Sequence, residues 1–370
     1  MIRILHCTGL DLGGAETTLM NYYRNIDKSK VQFDFFVGSS DIKRHYEDEA
    51  ISLGAKIYKY TYRWWRVNEL IRFMMYFVGV FKNNREIKAI HIHHYIPTLV
   101  VPLLMLAYFA RVPVRIVYST AQMPKAGLKQ KLFRPMVRVL STHWLCGSMK
   151  AGISLFGEKY KDKLIISPRA RDIELFRYDL TQRNVMRNNL GISDRFVLLH
   201  VGRLHEQKNH AFLFEILPEV LKKCPNLVLL VVGTGHLHEP LMKKVSELEL
   251  SEVVHFLGTR NDVSDLMQAA DIFLMPSLFE GLPGAAVEAQ AAGLPCLLAD
   301  TISKEAKIIK PVEFLPIDKS VDIWAERILA YQNYERSSTT ETLRQAGYDI
   351  RNASKNLEAF YISEVNAHAK

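Results

Sequence analysis

The segment Phe196-Val197-Leu198-Leu199-His200-Val201-Gly202-Arg203-Leu204-His205-Glu206-Gln207-Lys208-Asn209-His210 passes from an apolar run, through a glycine, into a polar loop that opens a helix pattern. A short run of Val and Leu with little alternation reads as a strand buried on both faces of a parallel sheet. The same grammar repeats outward. Toward the C-terminus come residues 227–232, 253–257, 272–275 and 295–298; toward the N-terminus lie 2–7, 32–37, 56–60, 89–93, 114–118, 143–146 and 164–166. Stretches with helical spacing, such as 67–80, separate them. Two series of strands alternating with helices predict an α/β chain of two doubly wound, Rossmann-like domains.

With 370 residues, the chain is long enough for two such domains, each with its own core. A charge-dense stretch without periodicity, 167–194, marks the boundary. Residues 1–170 are expected to form the first domain, 171–194 a linker and 195–351 the second domain. In residues 352–370, Leu357, Phe360 and Tyr361 fall at helical spacing, and this helix is expected to pack back on the first domain. A hydrophobic fraction of 48% with 24% charged residues excludes disordered, collagen-like and low-complexity classes. Cys7, Cys146, Cys224 and Cys296 form no C-x-x-C pair, so neither a zinc ribbon nor a secreted disulfide framework is indicated. Residues 1–6 read as a strand rather than a secretion signal. The apolar run 96–110 has 15 residues, short of the ~20 that span a bilayer, and reads as a buried helix. A cytoplasmic protein is expected.

Net charge is +9 but uneven: residues 1–185 carry +14 and residues 186–370 carry −5. Between Glu86 and Glu158 there are nine Lys/Arg and no acidic residue. Such asymmetry suits a polyanionic partner, and a solvated basic face is the plain alternative. Nucleic acid is disfavoured because the region contains no recognisable reading module. Within 123–140, Lys125, Lys129, Lys131, Arg134 and Arg138 interleave with Leu128, Leu132, Phe133, Met136 and Val137. A helix there, broken or kinked at Pro135, would suit adsorption to an anionic membrane; an ordinary domain helix fits the pattern equally.

Ligands of open parallel sheets bind beyond the carboxyl ends of the strands, so the loops there carry the candidates. After the first strand, Gly13-Gly14-Ala15-Glu16 opens a helix; paired glycines let backbone N–H groups approach a phosphate. The spacing is not G-x-G-x-x-G, and no dinucleotide fingerprint is present. After residue 201, Arg203 offers a planar fork and Lys208 a compact charge, a pair suited to a diphosphate. Glu280, Gly281 and Leu282 lie in the Gly/Pro-rich loop after 272–275, and Glu288 lies in the helix beyond. A carboxylate there could accept two sugar hydroxyls, and the backbone of Gly281 and Leu282 could serve a sugar or phosphate oxygen. His91 and His93 alternate on one strand and point the same way; they offer too few ligands for a metal, and His93 is kept as an acceptor-side candidate.

These motifs occur together in an ordered series: Gly13-Gly14-Ala15-Glu16, Asn25-Ile26-Asp27, Gln32-Phe33-Asp34-Phe35, Gly202-Arg203, Gln207-Lys208-Asn209-His210, Phe256-Leu257-Gly258, Glu280 to Glu288, and Ala289-Gln290-Ala291-Ala292-Gly293-Leu294-Pro295. The chain thereby resembles retaining GT-B glycosyltransferases of family 4, in the branch that builds capsular and exopolysaccharides. That resemblance implies two Rossmann-like domains facing a cleft. It implies transfer of a hexose or N-acetylhexosamine from a nucleotide sugar, UDP-linked by the resemblance alone, to a lipid-linked oligosaccharide. Arg203 and Lys208 resemble the pair that neutralises the leaving diphosphate, and Glu280 with Gly281 and Leu282 the group that holds the donor sugar. Glu288 resembles the ribose ligand and Arg260 the base contact, while Gly13 and Gly14 would approach the phosphates. No cofactor or metal is expected, since the two cations take that place and no D-x-D follows an apolar strand. A station at the inner face of the cell membrane would follow from a lipid-linked acceptor.

Two departures stand out. The family places a histidine after the fifth strand, where this chain has Thr120, which does not titrate near neutrality. The interdomain Asn-Gly-Ile-Asp becomes Arg169-Ala170-Arg171-Asp172. They motivate an alternative reading, a catalytically silent GT-B scaffold that assists a partner transferase. A sugar-nucleotide epimerase fits less well, for want of its acid–base set.

Overall fold

In the computed structural model, which describes residues 1–11, 13–38, 43–60, 67–119, 127–280, 282–318 and 321–368, each expected apolar run forms a strand within two residues of its predicted ends. The chain divides into two units, Met1–Ala170 with Asp349–Lys370, and Arg171–Tyr348.

The first unit is built on β1 (Ile2–Cys7), β2 (Val31–Gly38), β3 (Ile57–Tyr60), β4 (Ile87–His93), β5 (Val114–Ser119), β6 (His143–Cys146) and β7 (Ile165–Ile166). All are parallel, in the order β3-β2-β1-β4-β5-β6-β7. Crossovers run through α1 (Gly14–Asn25), α2 (Glu47–Ser52), α3 (Val67–Asn83), α4 (Pro97–Phe109), α5 (Leu128–Leu140) and α6 (Met149–Phe156). The second unit holds α7 (Leu180–Leu190), β8 (Phe196–Val201), α8 (His210–Leu221), β9 (Leu227–Val232), α9 (His238–Glu247), β10 (Val254–Gly258), α10 (Val263–Ala269) and β11 (Ile272–Met275). It continues with α11 (Gly284–Ala291), β12 (Cys296–Ala299), β13 (Val312–Leu315), α12 (Val321–Leu329) and α13 (Thr340–Gln345). The chain then returns to the first unit as α14 (Ile350–Ala367).

The second sheet is ordered β10-β9-β8-β11-β12-β13, also parallel. Both sheets therefore reverse strand order at one point, between β1 and β4 and between β8 and β11, the places where such sheets bind ligands. In the first unit one face packs Leu19, Tyr23, Leu357 and Tyr361 from α1 and α14, and the other packs Phe77, Leu104 and Val137 from α3, α4 and α5. The Asp34 carboxylate, fully buried on β2, is held by the Arg3 guanidinium on β1 and by the backbone N–H of Lys56. A charge can sit in that core only because it is paired and hydrogen-bonded.

Two expectations are corrected and one strand is added. Residues 171–194 are not a linker: Ile173, Phe176, Met186 and Ile192 are buried in the second core, and α7 begins at an Asp179 cap whose side chain accepts from the Gln182 N–H. β13 went unrecognised because Pro311 and Pro316 bracket an edge strand of only four residues with Glu313 inside it. The run 96–110 is only half buried, with Tyr108 and Phe109 of α4 exposed at 54% and 67%.

Candidate active site

The loops that leave β8 and β11 meet at the reversal point of the second sheet. After β8, Gly202 and Arg203 lead into a single 3-10 turn, Glu206–Lys208, and Asn209 caps α8 in the left-handed conformation. Close backbone packing fixes this path. Gly233, at φ +132°, lies against the Gly202 carbonyl, and Gly235 lies against the Leu204 carbonyl, so a Cβ at either position would overlap main chain. Gly202 in turn lies under the Lys208 stem, with its Cε 2.9 Å from where a Cβ would stand.

That stem delivers the Lys208 ammonium to Glu280, in the loop after β11, at 2.7 Å. The pair is about five-sixths buried, with side chains 17% and 13% exposed. Gln207 reinforces it, donating to the same Glu280 oxygen at 3.1 Å and to the Phe279 carbonyl at 2.9 Å. The Leu278 N–H donates to the Gln207 carbonyl at 2.8 Å, stitching the loops together. On its other side the Glu280 carbonyl accepts from the Ser303 N–H at 3.3 Å. Leu282 is buried in the core and anchors the loop, whereas Gly281 lies outside the described residues. Under the first loop, His200 donates from Nδ1 to the Leu274 carbonyl at 2.8 Å and its ring meets that of His210. Burial holds both rings neutral, lowering His210 to about 4.

Arg203 is exposed, and among the described residues its side chain makes no hydrogen bond or ion pair. One cation is thus clamped and the other is at liberty to follow a ligand.

Glu288 does not stand alone either. On α11 it accepts from the Arg171 Nε at 2.7 Å, with the arginine side chain 5% and the carboxylate 19% exposed. Gly284, one turn earlier on α11, gives the guanidinium its room: a Cβ there would overlap it. The sequence marks residue 171 only as a departure from the family's interdomain pattern, and nothing in it links this arginine to a carboxylate 117 positions on. Arg260, expected near the base, forms a two-point contact with Asp262 at 2.8 and 2.5 Å.

The remaining candidates belong to the first unit. Gly13 is the N-cap of α1, and the Glu16 carboxylate occupies the space a Cβ at Gly13 would need. Arg169 lies 3.3 Å from the corresponding position at Gly14. His93 ends β4 and lines a cavity of about 20 Å³ with Ala15, Tyr22, Tyr118, Ser167 and Arg169. Thr120 lies outside the described residues.

Residues 182–349 match the family model Glycosyl transferases group 1. Over 381 aligned positions, covering 99% of this chain and 98% of the other, 34% are identical to EpsF of Bacillus subtilis, which is named as a glycosyltransferase. A UDP-Gal:alpha-D-GlcNAc-diphosphoundecaprenol alpha-1,3-galactosyltransferase of Escherichia coli is 34% identical over 39% of this chain and 38% of its own. CapH of Staphylococcus aureus, a capsular polysaccharide biosynthesis glycosyltransferase, is 26% identical over 78% of this chain and 79% of its own. Among solved structures, Anabaena HepE in complex with UDP and glucose superposes with a TM-score of 0.75 at 16% identity, over 98% of this chain and all of the other.

Proposed function

Because this chain belongs to the group 1 glycosyl transferases and has their GT-B fold, we propose that it transfers a hexose or N-acetylhexosamine from a UDP-linked sugar to a lipid-linked oligosaccharide in capsule or exopolysaccharide synthesis, with retention of configuration. The observation that carries this reading is the Lys208–Glu280 pair, with Arg203 in the same loop and without a side-chain partner among the described residues, at the reversal point of the second sheet. In the reaction the bond from the anomeric carbon to the diphosphate oxygen breaks, leaving negative charge on that oxygen. Arg203 and the Lys208 ammonium stabilise the charge where it develops, a role a metal ion fills in other transferases. The acceptor hydroxyl bonds to the anomeric carbon from the face the diphosphate leaves, and its proton passes to the departing phosphate. Glu280 orients the sugar hydroxyls while holding Lys208; Glu288 takes the ribose hydroxyls with the oxygen that Arg171 leaves available.

A thermal-shift titration with UDP, GDP, ADP and NAD tests the donor assignment. At 100 times its dissociation constant a ligand adds ~2.7 kcal/mol, visible as several degrees. UDP alone is expected to shift the wild type, and the shift should weaken in Glu288→Gln. No response to any nucleotide would replace the transferase reading with that of a silent scaffold.

The acceptor's lipid suits the surface of the first unit. Helix α5 continues through Pro135, with Phe133 and Val137 turned to the core. Its outer face exposes Leu128, Leu132, Met136 and Val139 at 84%, 71%, 39% and 80%. Met136 and Val139 of this face line an apolar groove with Met105, Tyr108 and Phe109 of α4; Lys131 on α5 and Arg111 just beyond α4 are exposed. An outward apolar stripe with basic neighbours is what an anionic bilayer interface accommodates, not what an ordinary core helix presents. No helix among the described residues is long and apolar enough to cross a membrane. Flotation with phosphatidylglycerol vesicles at low salt should carry the protein, and Leu132→Asp with Val139→Asp should leave it behind. Equal flotation of both would refute the assignment of this face.

A further inference from the structure

The reversal point of the first sheet carries a cluster that the transfer reaction above does not use. His6 is the next-to-last residue of β1, and His91 and His93 fall in the last three residues of β4; strand pairing sets His6 opposite His91, and alternation puts His93 on the same side. One ring nitrogen from each lies within 4.8 Å of the others. His6 Nδ1 and His93 Nε2 are 2.9 Å apart, and His91 Nδ1 is 2.6 Å from the Tyr361 hydroxyl on α14. These contacts leave His6 Nε2 and His91 Nε2 buried without a partner. An orphaned buried nitrogen costs about 1–3 kcal/mol, and two on facing rings constitute a donor set without an acceptor.

We infer that His6, His91 and His93 form a three-imidazole site for a divalent transition ion of the zinc class. Four features support it. Imidazole is the preferred nitrogen ligand for such ions, and three with one open position is a recurring zinc arrangement. Nitrogens about 2.0–2.1 Å from a tetrahedral ion stand roughly 3.3 Å from one another, so small ring rotations bring the three into register. His6 and His91 are buried and His93 is partly so, surroundings that suit neutral imidazole, the ligating form. Tyr361 completes the arrangement: with His91 Nδ1–H donating to its hydroxyl, the His91 Nε2 lone pair is left for the metal, the outer contact that orients ligating histidines.

The adjoining cavity of about 20 Å³, which His91 and His93 help line, has room for one water or hydroxide as fourth ligand. Arg169 also lines this cavity. The ion would tie the end of β1 to the end of β4, and Ala15 and Thr18 of α1 line the same cavity as His91 and His93. Its ligands all belong to the first unit and none is a donor-site residue, so its test stands apart from the donor assignment.

Cobalt(II) serves as the probe, because four-coordinate Co2+ absorbs in the visible and six-coordinate aqueous Co2+ barely does. The full chain, stripped with a chelator, is titrated with Co2+ and then Zn2+, with bound metal measured after desalting. One ion per chain, an intense visible band bleached by Zn2+, and a rise in melting temperature are expected. His91→Gln should abolish the band, and Tyr361→Phe, which keeps all three rings, should weaken metal binding by about 10–100-fold. The exposed trio His205, Glu206 and His236 in the second unit is the competing ligand set. A band that survives in His91→Gln or vanishes in His236→Asn would overturn the proposal. So would a wild-type chain that takes up no ion, which would leave the cluster a chain of neutral imidazoles.

Discussion

Lys208→Met is expected to lower kcat by about two to three orders of magnitude, the loss typical when one preorganised charge facing a developing anion is removed. Methionine keeps the length of the stem that lies over Gly202, so the loop after β8 retains its packing. What disappears is the ammonium, and with it the partner of Glu280. The variant therefore has two effects to separate: charge lost at the diphosphate, and a carboxylate left with only Gln207 as side-chain partner. Arg203→Met separates them. Arg203 has no side-chain partner among the described residues, so its removal should reduce turnover without lowering the melting temperature. Lys208→Met should lower both, and the Lys208→Met, Glu280→Gln double variant should recover stability but not rate. Near-normal kcat in Lys208→Met would remove this lysine from the transfer step.

A comparable effect, on stability rather than rate, is expected at Arg171 and Glu288. Breaking a buried ion pair by deleting one partner costs about 3–5 kcal/mol, because the survivor stays charged in a poor solvent. The two deletions should differ. Glu288→Ala takes the carboxylate from an arginine whose side chain is 5% exposed, whereas Arg171→Met leaves a carboxylate 19% exposed that reaches some water. The melting temperature should fall further in Glu288→Ala, and Glu288→Gln, which keeps an acceptor for the Arg171 Nε, should fall least. Only that last variant reports cleanly on ribose binding. Wild-type melting temperatures in all three would mean the pair contributes nothing, and the carboxylate would have to be assigned without its arginine.

The strands were legible because parallel strands covered on both faces leave near-continuous Val/Ile/Leu runs, as in 196–201 and 227–232. β13 was not, since an edge strand between prolines has neither length nor pattern. Arg203, Lys208 and Glu280 could be singled out from loops that follow strands, but their pairing could not: 72 positions separate Lys208 from Glu280, and only the adjacency of β8 and β11 joins them. Arg171 was hidden for a similar reason, its partner lying 117 positions on. His6 was passed over because a lone histidine at a strand end carries no spacing signal, and the β1–β4 register alone sets it against His91.

The second unit begins at Arg171 and ends at Tyr348, and the Arg171 N–H donates to the Tyr348 carbonyl at 2.9 Å. Its entry and exit are therefore neighbours, as in a cassette spliced into a host. Synthesis on the ribosome meets this arrangement in an awkward order. The whole inserted cassette can emerge and fold while its host still lacks Leu357, Tyr361 and Val365, side chains that fill one face of the host's core. Until α14 follows, that face stays open, and the nascent chain has an unfinished first half behind a finished second one.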